Sequence, residues 1–234
     1  SDLGNLLQGK VAGLLVMNSS GQPGTDADIR IRGTGSISAG AAPLYVVDGI
    51  AGGSFNPNDV ESLTVLKDAS ATALYGAAAA GGVIVVTTKS AKSDKTTVSL
   101  KASGGVKRAL TGRFHPMDSE ELYYFQKQIY SKSMFKTLRP KSLLDQDFDW
   151  MDAAFRTGSV QDYYVSAAGR AGKLNYFAGI SYYDEKGTLI NTGYRKGSAR
   201  VNLSAPLAKN LKLDLRLNYN RTATQQASSY VTLE

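Results

Sequence analysis

A chain of 234 residues, 42% apolar and without cysteine, has room for one large or two modest domains and excludes disulfides and thiolate metal sites. Its formal charge of +7 is unevenly placed: residues 1–94 hold six Lys/Arg against eight Asp/Glu, and residues 95–234 hold twenty-one against twelve. The basic residues stand singly among strand-like segments, which argues against nucleic acid as a partner, and no apolar run reaches the ~18 residues of a transmembrane helix.

The first unit alternates short apolar runs with Gly, Pro and Asn, the pattern of a compact α+β fold. Strands are expected at Leu14–Met17, Asp28–Arg32, Leu44–Asp48, Ser62–Lys67 and Val83–Thr88. A short Ala-rich helix is expected from Asp68 to Tyr75, capped by Asp68 and stopped by Gly76. In Asp28-Ile-Arg-Ile-Arg32 the two-residue period puts Arg30 and Arg32 on one strand face and Ile29 and Ile31 on the other. Two glycine clusters look superficially like phosphate cradles. Gly33-Thr-Gly35-Ser-Ile-Ser38 ends in Ser and lacks a following helix, and Gly76 to Gly82 has Gly where a P-loop needs Lys, so both read as turns.

From Thr96 the segments lengthen and alternate cleanly. In Leu211–Asn220 the residues Leu211, Leu213, Leu215, Leu217 and Tyr219 share one face and Lys212, Asp214, Arg216, Asn218 and Asn220 the other. Leu174, Tyr176, Ala178, Ile180 and Tyr182 form a second such face. Strands are expected at about Thr96–Arg108, Val160–Gly169, Lys173–Tyr183, Arg195–Ala205 and Leu211–Arg221, each long enough to cross a bilayer at a tilt. Their connections run long, short, moderate, short, as in outer-membrane barrels. A soluble antiparallel sheet with one wet face gives the same alternation, so a soluble surface-exposed glycan-binding or adhesion module is the alternative. Tyr163, Tyr164, Tyr182, Tyr183, Tyr194 and Tyr219 are expected to form an aromatic girdle.

The long connection, about residues 109–159, carries a helix expected over Asp118–Lys132, with Asp118 or Ser119 as its cap. Its aromatic residues Phe148, Trp150 and Phe155 suit either stacking on a substrate or packing of the loop on itself. Asp145, Asp147, Asp149 and Asp152 offer a weak calcium option that lacks the Gly and terminal Glu of an EF-hand. His115 is the one histidine, and no nucleophile or carboxylate constellation suggests an enzyme or a cofactor.

Taken together, Leu7-Gln-Gly-Lys-Val-Ala-Gly13, Ser20-Gly-Gln-Pro-Gly24, Ile29-Arg-Ile-Arg-Gly-Thr-Gly35, Pro43-Leu-Tyr-Val-Val-Asp-Gly49 and Asn56-Pro-Asn-Asp-Val-Glu-Ser62 resemble the plug of TonB-dependent outer-membrane receptors. Val65-Leu-Lys-Asp-Ala-Ser-Ala-Thr-Ala-Leu-Tyr-Gly76 resembles the SusC/RagA branch, the glycan and peptide importers of Bacteroidota, although Ala78 and Gly81 stand where that branch commonly has Arg and Asn. The resemblance implies a plug over residues 1–94 and, over residues 95–234, about five strands of an antiparallel barrel whose full complement is twenty-two. It also implies an outer-membrane location in a Gram-negative bacterium, a SusD-like lipoprotein partner over the long extracellular loop, TonB engaging a segment upstream of Ser1, and continuation of the chain beyond Glu234. Arg30, Arg32, Glu61 and Lys67 are the residues expected to lock or gate the plug against the barrel wall, and Phe148, Trp150 and Phe155 those expected to meet substrate or lid.

Overall fold

A computed structural model of the chain describes residues 14–17, 21–25, 27–31, 42–67, 74–91, 93–110, 112–113, 115–145 and 147–226. Strands β1 (Leu15–Met17) and β2 (Asp28–Arg30) pair antiparallel. Beside them β3 (Leu44–Val47), β4 (Ile50–Ala51), β5 (Val60–Leu66) and β6 (Val83–Thr88) form a sheet in the order β4-β3-β6-β5. Strands β3 and β6 run parallel at its centre, and their continuous apolar sequences suit strands covered on both faces. On one side Ile29, Ile31, Val47, Ile84 and Val86 make the core, and on the other Val46, Ala79 and Val83. Gly82 enters β6 at a φ of +97°, where an added Cβ would lie 2.8 Å from Ile31 Cδ1. Both the backbone angle and the packing therefore require glycine there.

The second unit is a five-stranded antiparallel meander: β7 (Thr97–Lys107), β8 (Gly158–Ala171), β9 (Leu174–Lys186), β10 (Gly193–Ala208) and β11 (Leu211–Gln225). Two-residue turns join β8 to β9 and β10 to β11 at one end. Residues 108–157 and the shorter loop 187–192 extend from the other, so the expected asymmetry of connections is present. Strand β7 stops one residue short of each expected end, whereas β8, β10 and the C-terminal ends of β9 and β11 run past theirs by two to four residues, because ladder pairing continues where alternation has ceased to be clear.

Two expectations need correction. The helix predicted over Asp118–Lys132 is two helices, α1 (Ser119–Ile129) and α2 (Lys132–Leu138). Asp118 and Glu121 form a reciprocal capping box that starts α1, Tyr130 leaves the helix at ψ 148°, and Ser131 accepts from Met134 N–H to start α2. Lys132 thus opens a helix instead of closing one. The tyrosine girdle also divides. Tyr163, Tyr182 and Tyr219 do point outward, at 47%, 46% and 64% exposure, but Tyr164 is buried at 4%, and Tyr183 and Tyr194 face inward beside Glu185 and Gly24. Neighbouring residues on a strand face opposite ways, so the pairs 163/164 and 182/183 had to split. The expected Asp68–Tyr75 helix falls mainly outside the described residues, as do Leu7–Gly13 and the Gly33–Ser38 turn. Gly76, its expected stop, has a φ of +66° and opens a 3₁₀ turn, Gly76–Ala79.

Candidate functional site: where the first unit meets the sheet

The five-stranded sheet has two faces of opposite chemistry. Outward, Leu211, Leu213, Leu215, Leu217 and Tyr219 are exposed, with Ile180, Val165, Val98 and Leu100 on the same side of neighbouring strands. Inward, the register aligns polar rows: Lys101, Tyr164, Ser181, Ser198 and Asn220 in one, and Ser99, Ser166, Gly179, Arg200 and Asn218 in the next. A third holds Thr97, Ala168, Phe177, Asn202 and Arg216. This polar face lies on the N-terminal unit.

Two local features of the N-terminal unit prepare it for that face. Between β3 and β4, Asp48 and Gly49 take φ values of 49° and 88°, the pair of left-handed residues that a two-residue type I′ turn requires. The turn projects Asp48 beyond the sheet, where its carboxylate accepts from Thr88 N (2.8 Å) and Thr88 Oγ1 (2.6 Å). In Asn56-Pro-Asn-Asp59, Asn56 caps a 3₁₀ turn by accepting from Asn58 N at 2.8 Å, with Pro57 at the first position. The cap uses the oxygen of the Asn56 amide and leaves its nitrogen to donate to Ser181 Oγ (2.5 Å) and Ser198 Oγ (2.9 Å) on the wall.

Arg200 sits between the two features. Its guanidinium lies 3.4 Å from Asp48 Oδ2 and 3.4 Å from Asp59 Oδ2, and it donates to the Ser54 carbonyl at 3.1 Å. The three charged side chains are each less than a tenth exposed, so one buried cation serves two buried anions. Around them Arg216 donates to the Asp48 carbonyl (2.8 Å), Asn218 to the Ser54 carbonyl (2.9 Å), Asn220 to Ser54 Oγ (3.0 Å), and Asn202 to Thr88 Oγ1 (3.3 Å). Lys89 donates to the Asn58 carbonyl at 2.7 Å and lies 5.4 Å from the centre of the Tyr164 ring. Gly179 leaves room for Asp59: an added Cβ would be 3.1 Å from its Oδ1. Burial pushes the Asp59 carboxyl above its ordinary 3.8, against the pull of the Tyr164 hydroxyl, Arg200 and Lys89.

Three of the four residues expected to lock or gate the plug are described. Arg30 turns back to Asp28 on its own strand, at 2.7 Å. Arg32 lies outside the described residues. Glu61 is exposed at a bulge in β5 and lines an open pocket of about 360 Å³ with Lys89, Lys95, Ser99 and Ser166, at the margin of the contact between the units. Lys67 is exposed just beyond β5. In the long loop Phe148 and Trp150 pack edge to face at 4.8 Å and remain 58% and 72% exposed, whereas Phe155 bridges to Leu189. Trp150 opens the short helix α3 (Trp150–Ala154). Of the calcium candidates, Asp149 caps α3 and Asp147 accepts from Ser119, and among the described residues no group of three or more His or acidic residues is placed to hold a metal ion.

Sequence reasoning missed Asp48, Asn56, Asp59 and Arg200. Signals for them existed, since the motifs containing Asp48 and Asn56 to Asp59 were recognised and Arg200 stands on an alternating strand. What alternation does not give is which wall residue meets which loop across more than a hundred residues of chain.

Comparison with known proteins agrees with this arrangement. Residues 1–83 match the family model of the TonB-dependent Receptor Plug Domain. The chain is 37% identical over 212 residues to the TonB-dependent receptor SusC of Bacteroides thetaiotaomicron, covering 86% of this chain and 21% of that protein. It is 33% identical over 225 residues to the TonB-dependent receptor P3 of Formosa agariphila, covering 95% and 22%. Among solved structures it superposes on the RagAB peptide importer in an open-open state with a TM-score of 0.81 at 32% identity, over 97% of this chain and 29% of that one. The closed-closed state of RagAB gives 0.82 at 31% identity, over 98% and 29%. The chain thus spans about a fifth of the length of these curated relatives. With the plug family matched over residues 1–83, and described residues of that unit such as Asp48, Asn56 and Asp59 lying against the polar face of an antiparallel sheet, the chain belongs to the SusC/RagA-type TonB-dependent receptors.

Proposed function

We propose that this chain is the plug and the first wall strands of an outer-membrane importer, residues 1–94 forming the plug and residues 95–234 the start of a barrel of twenty-two strands. The cargo is an oligosaccharide or a peptide, captured under a SusD-like lipoprotein lid and admitted when TonB, acting on a segment upstream, displaces the plug. One observation carries this reading: a sheet whose outward face is exposed leucine, and whose inward face is spent on hydrogen bonds and buried ion pairs to the plug. Such a sheet separates lipid from a polar interior. The named relatives are receptors and importers, a role without catalysis.

On this reading Arg200, Asp48 and Asp59 hold the plug in its closed seat, with Arg30, Arg32, Glu61 and Lys67 as further gating contacts. Loop residues 108–157 face outward from the cell, and Phe148, Trp150 and Phe155 meet cargo or lid. The full-length protein should fractionate with the outer membrane and need detergent for extraction, and its loss should abolish growth on one class of oligosaccharide or peptide as sole source. A full-length product monomeric in buffer without detergent, or unimpaired growth on every source, overturns the reading.

A further inference from the structure

The loop 187–192, between β9 and β10, is gripped from two sides. From the long outer loop, Arg156 N donates to the Thr188 carbonyl at 2.7 Å, and Ile190 N donates to the Ala154 carbonyl at 2.9 Å. The Arg156 side chain adds two more bonds, Nε to the Gly187 carbonyl and Nη2 to the Thr192 carbonyl, both at 3.2 Å. The guanidinium thereby spans both ends of the loop, and Phe155 bridges to Leu189 beside it. From the plug, buried Pro23 packs against Gly187, its Cγ 2.8 Å from the position of an added Cβ, with the Thr192 hydroxyl closer still on the loop's own side. Gly24, at a φ of +75°, lies against the Tyr194 ring with no room for a Cβ. The plug turn and the outer loop do not need to touch each other, because both close on one six-residue segment.

We infer that Arg156 is a positioning residue that couples the outer loop carrying Phe148 and Trp150 to the plug turn Gln22–Thr25, with loop 187–192 as the connecting piece. Planar donors on two carbonyls fix the loop's width, and its width sets the seat of Pro23. Movement of α3 therefore shifts the plug turn, and loosening of the plug turn frees α3 by the same coupling, since a coupling free energy is reciprocal. That this path carries news of cargo rests on the importer reading above. The mechanical coupling does not.

Hydrogen exchange on the full-length protein in detergent tests it without any cargo. Arg156→Ala should speed exchange of the amides of residues 187–192 and 21–31 by about tenfold, while β3 and β6 stay within about twofold. A general loss of stability would raise all of these together. Arg156→Lys, which cannot span both carbonyls, should fall between. From the other side, Pro23→Ala should speed exchange in 187–192 and in α3, a check that stands even if Arg156→Ala fails to assemble. Acceleration confined to 187–192, with residues 21–31 unchanged, overturns the coupling. If the coupling is found but the double replacement Phe148→Ala and Trp150→Ala leaves growth on every tested source intact, the cargo role of the outer pair fails and the coupling remains.

Discussion

Arg200 is the residue on which the contact between plug and wall turns. Two carboxylates and one guanidinium share a space from which water is largely excluded, so removing the cation strands two anions at once. Truncation of one member of a buried ion pair costs about 3–5 kcal/mol. Arg200→Ala in the full-length protein should accordingly expose the plug to limited proteolysis and lower its unfolding midpoint in urea. Arg200→Lys should recover only part of the loss, because an ammonium cannot point at Asp48, Asp59 and the Ser54 carbonyl together. Asp59 adds a dependence on pH. Its folded carboxyl is raised above the ordinary 3.8, chiefly by burial, so in that window the folded state binds more protons than the unfolded one. Its contribution is then most favourable below 3.8 and is lost as pH rises through the folded value. In Asp59→Asn this slope should vanish, which urea melts of wild type and variant between pH 4 and 7 will show. A wild-type slope of opposite sign, removed by the same substitution, would mean that the Tyr164 hydroxyl, Arg200 and Lys89 together outweigh burial.

The Asp48-Gly49 turn joins two requirements in two residues. A type I′ turn needs left-handed backbone at both positions, and the contact with Arg200 needs an anion at the first. Gly49→Ala, at a φ of 88°, should cost about 1–2 kcal/mol, read as a lower thermal midpoint of the plug. Asp48→Asn should keep the turn and lose the attraction to Arg200, so the two variants separate shape from charge. Asp-Gly after an apolar run is a hairpin signal, yet Asp48 falls inside the expected strand Leu44–Asp48 and the turn went unread; most strands were legible, since a two-residue period survives wherever one face must be apolar. The break between α1 and α2 was not. Periodicity continues across Ser131, and only the capping bond from Met134 N–H to its hydroxyl decides that a new helix begins. The candidate site was half legible for a related reason. Polar residues on the inward face announced that something polar must cover it, but Asn56 finds Ser181 and Ser198, and Arg200 finds Asp48 and Asp59, only after two units dock. The residues chosen from local charge patterns, Arg30 among them, include one whose partner is on its own strand.

Across the molecule, one sheet divides two environments. Leu217 stands in an outward row with Val98, Ala167, Ala178 and Val201, and Leu217→Arg should cost about 2–4 kcal/mol if this row lies near the middle of a bilayer. The check is the fraction of full-length protein recovered folded from outer membranes, set against the same substitution at exposed Leu110 in the long loop, which should be neutral. The inward face has a different consequence when the plug is pulled. Its bonds from Asn56, Asn202, Asn218 and Asn220 are neutral, and each is worth little net because water can replace the protein partner. They are arranged in successive rows, so a force along the strands breaks them one after another like teeth of a zip. Arg200 behaves as a rivet in that seam: its contacts with Asp48 and Asp59 must yield together. The force needed to open the seam is therefore set chiefly by Arg200, with Arg216 on the Asp48 carbonyl yielding beside it, while the number of asparagines and serines sets how far the plug would travel before it is free.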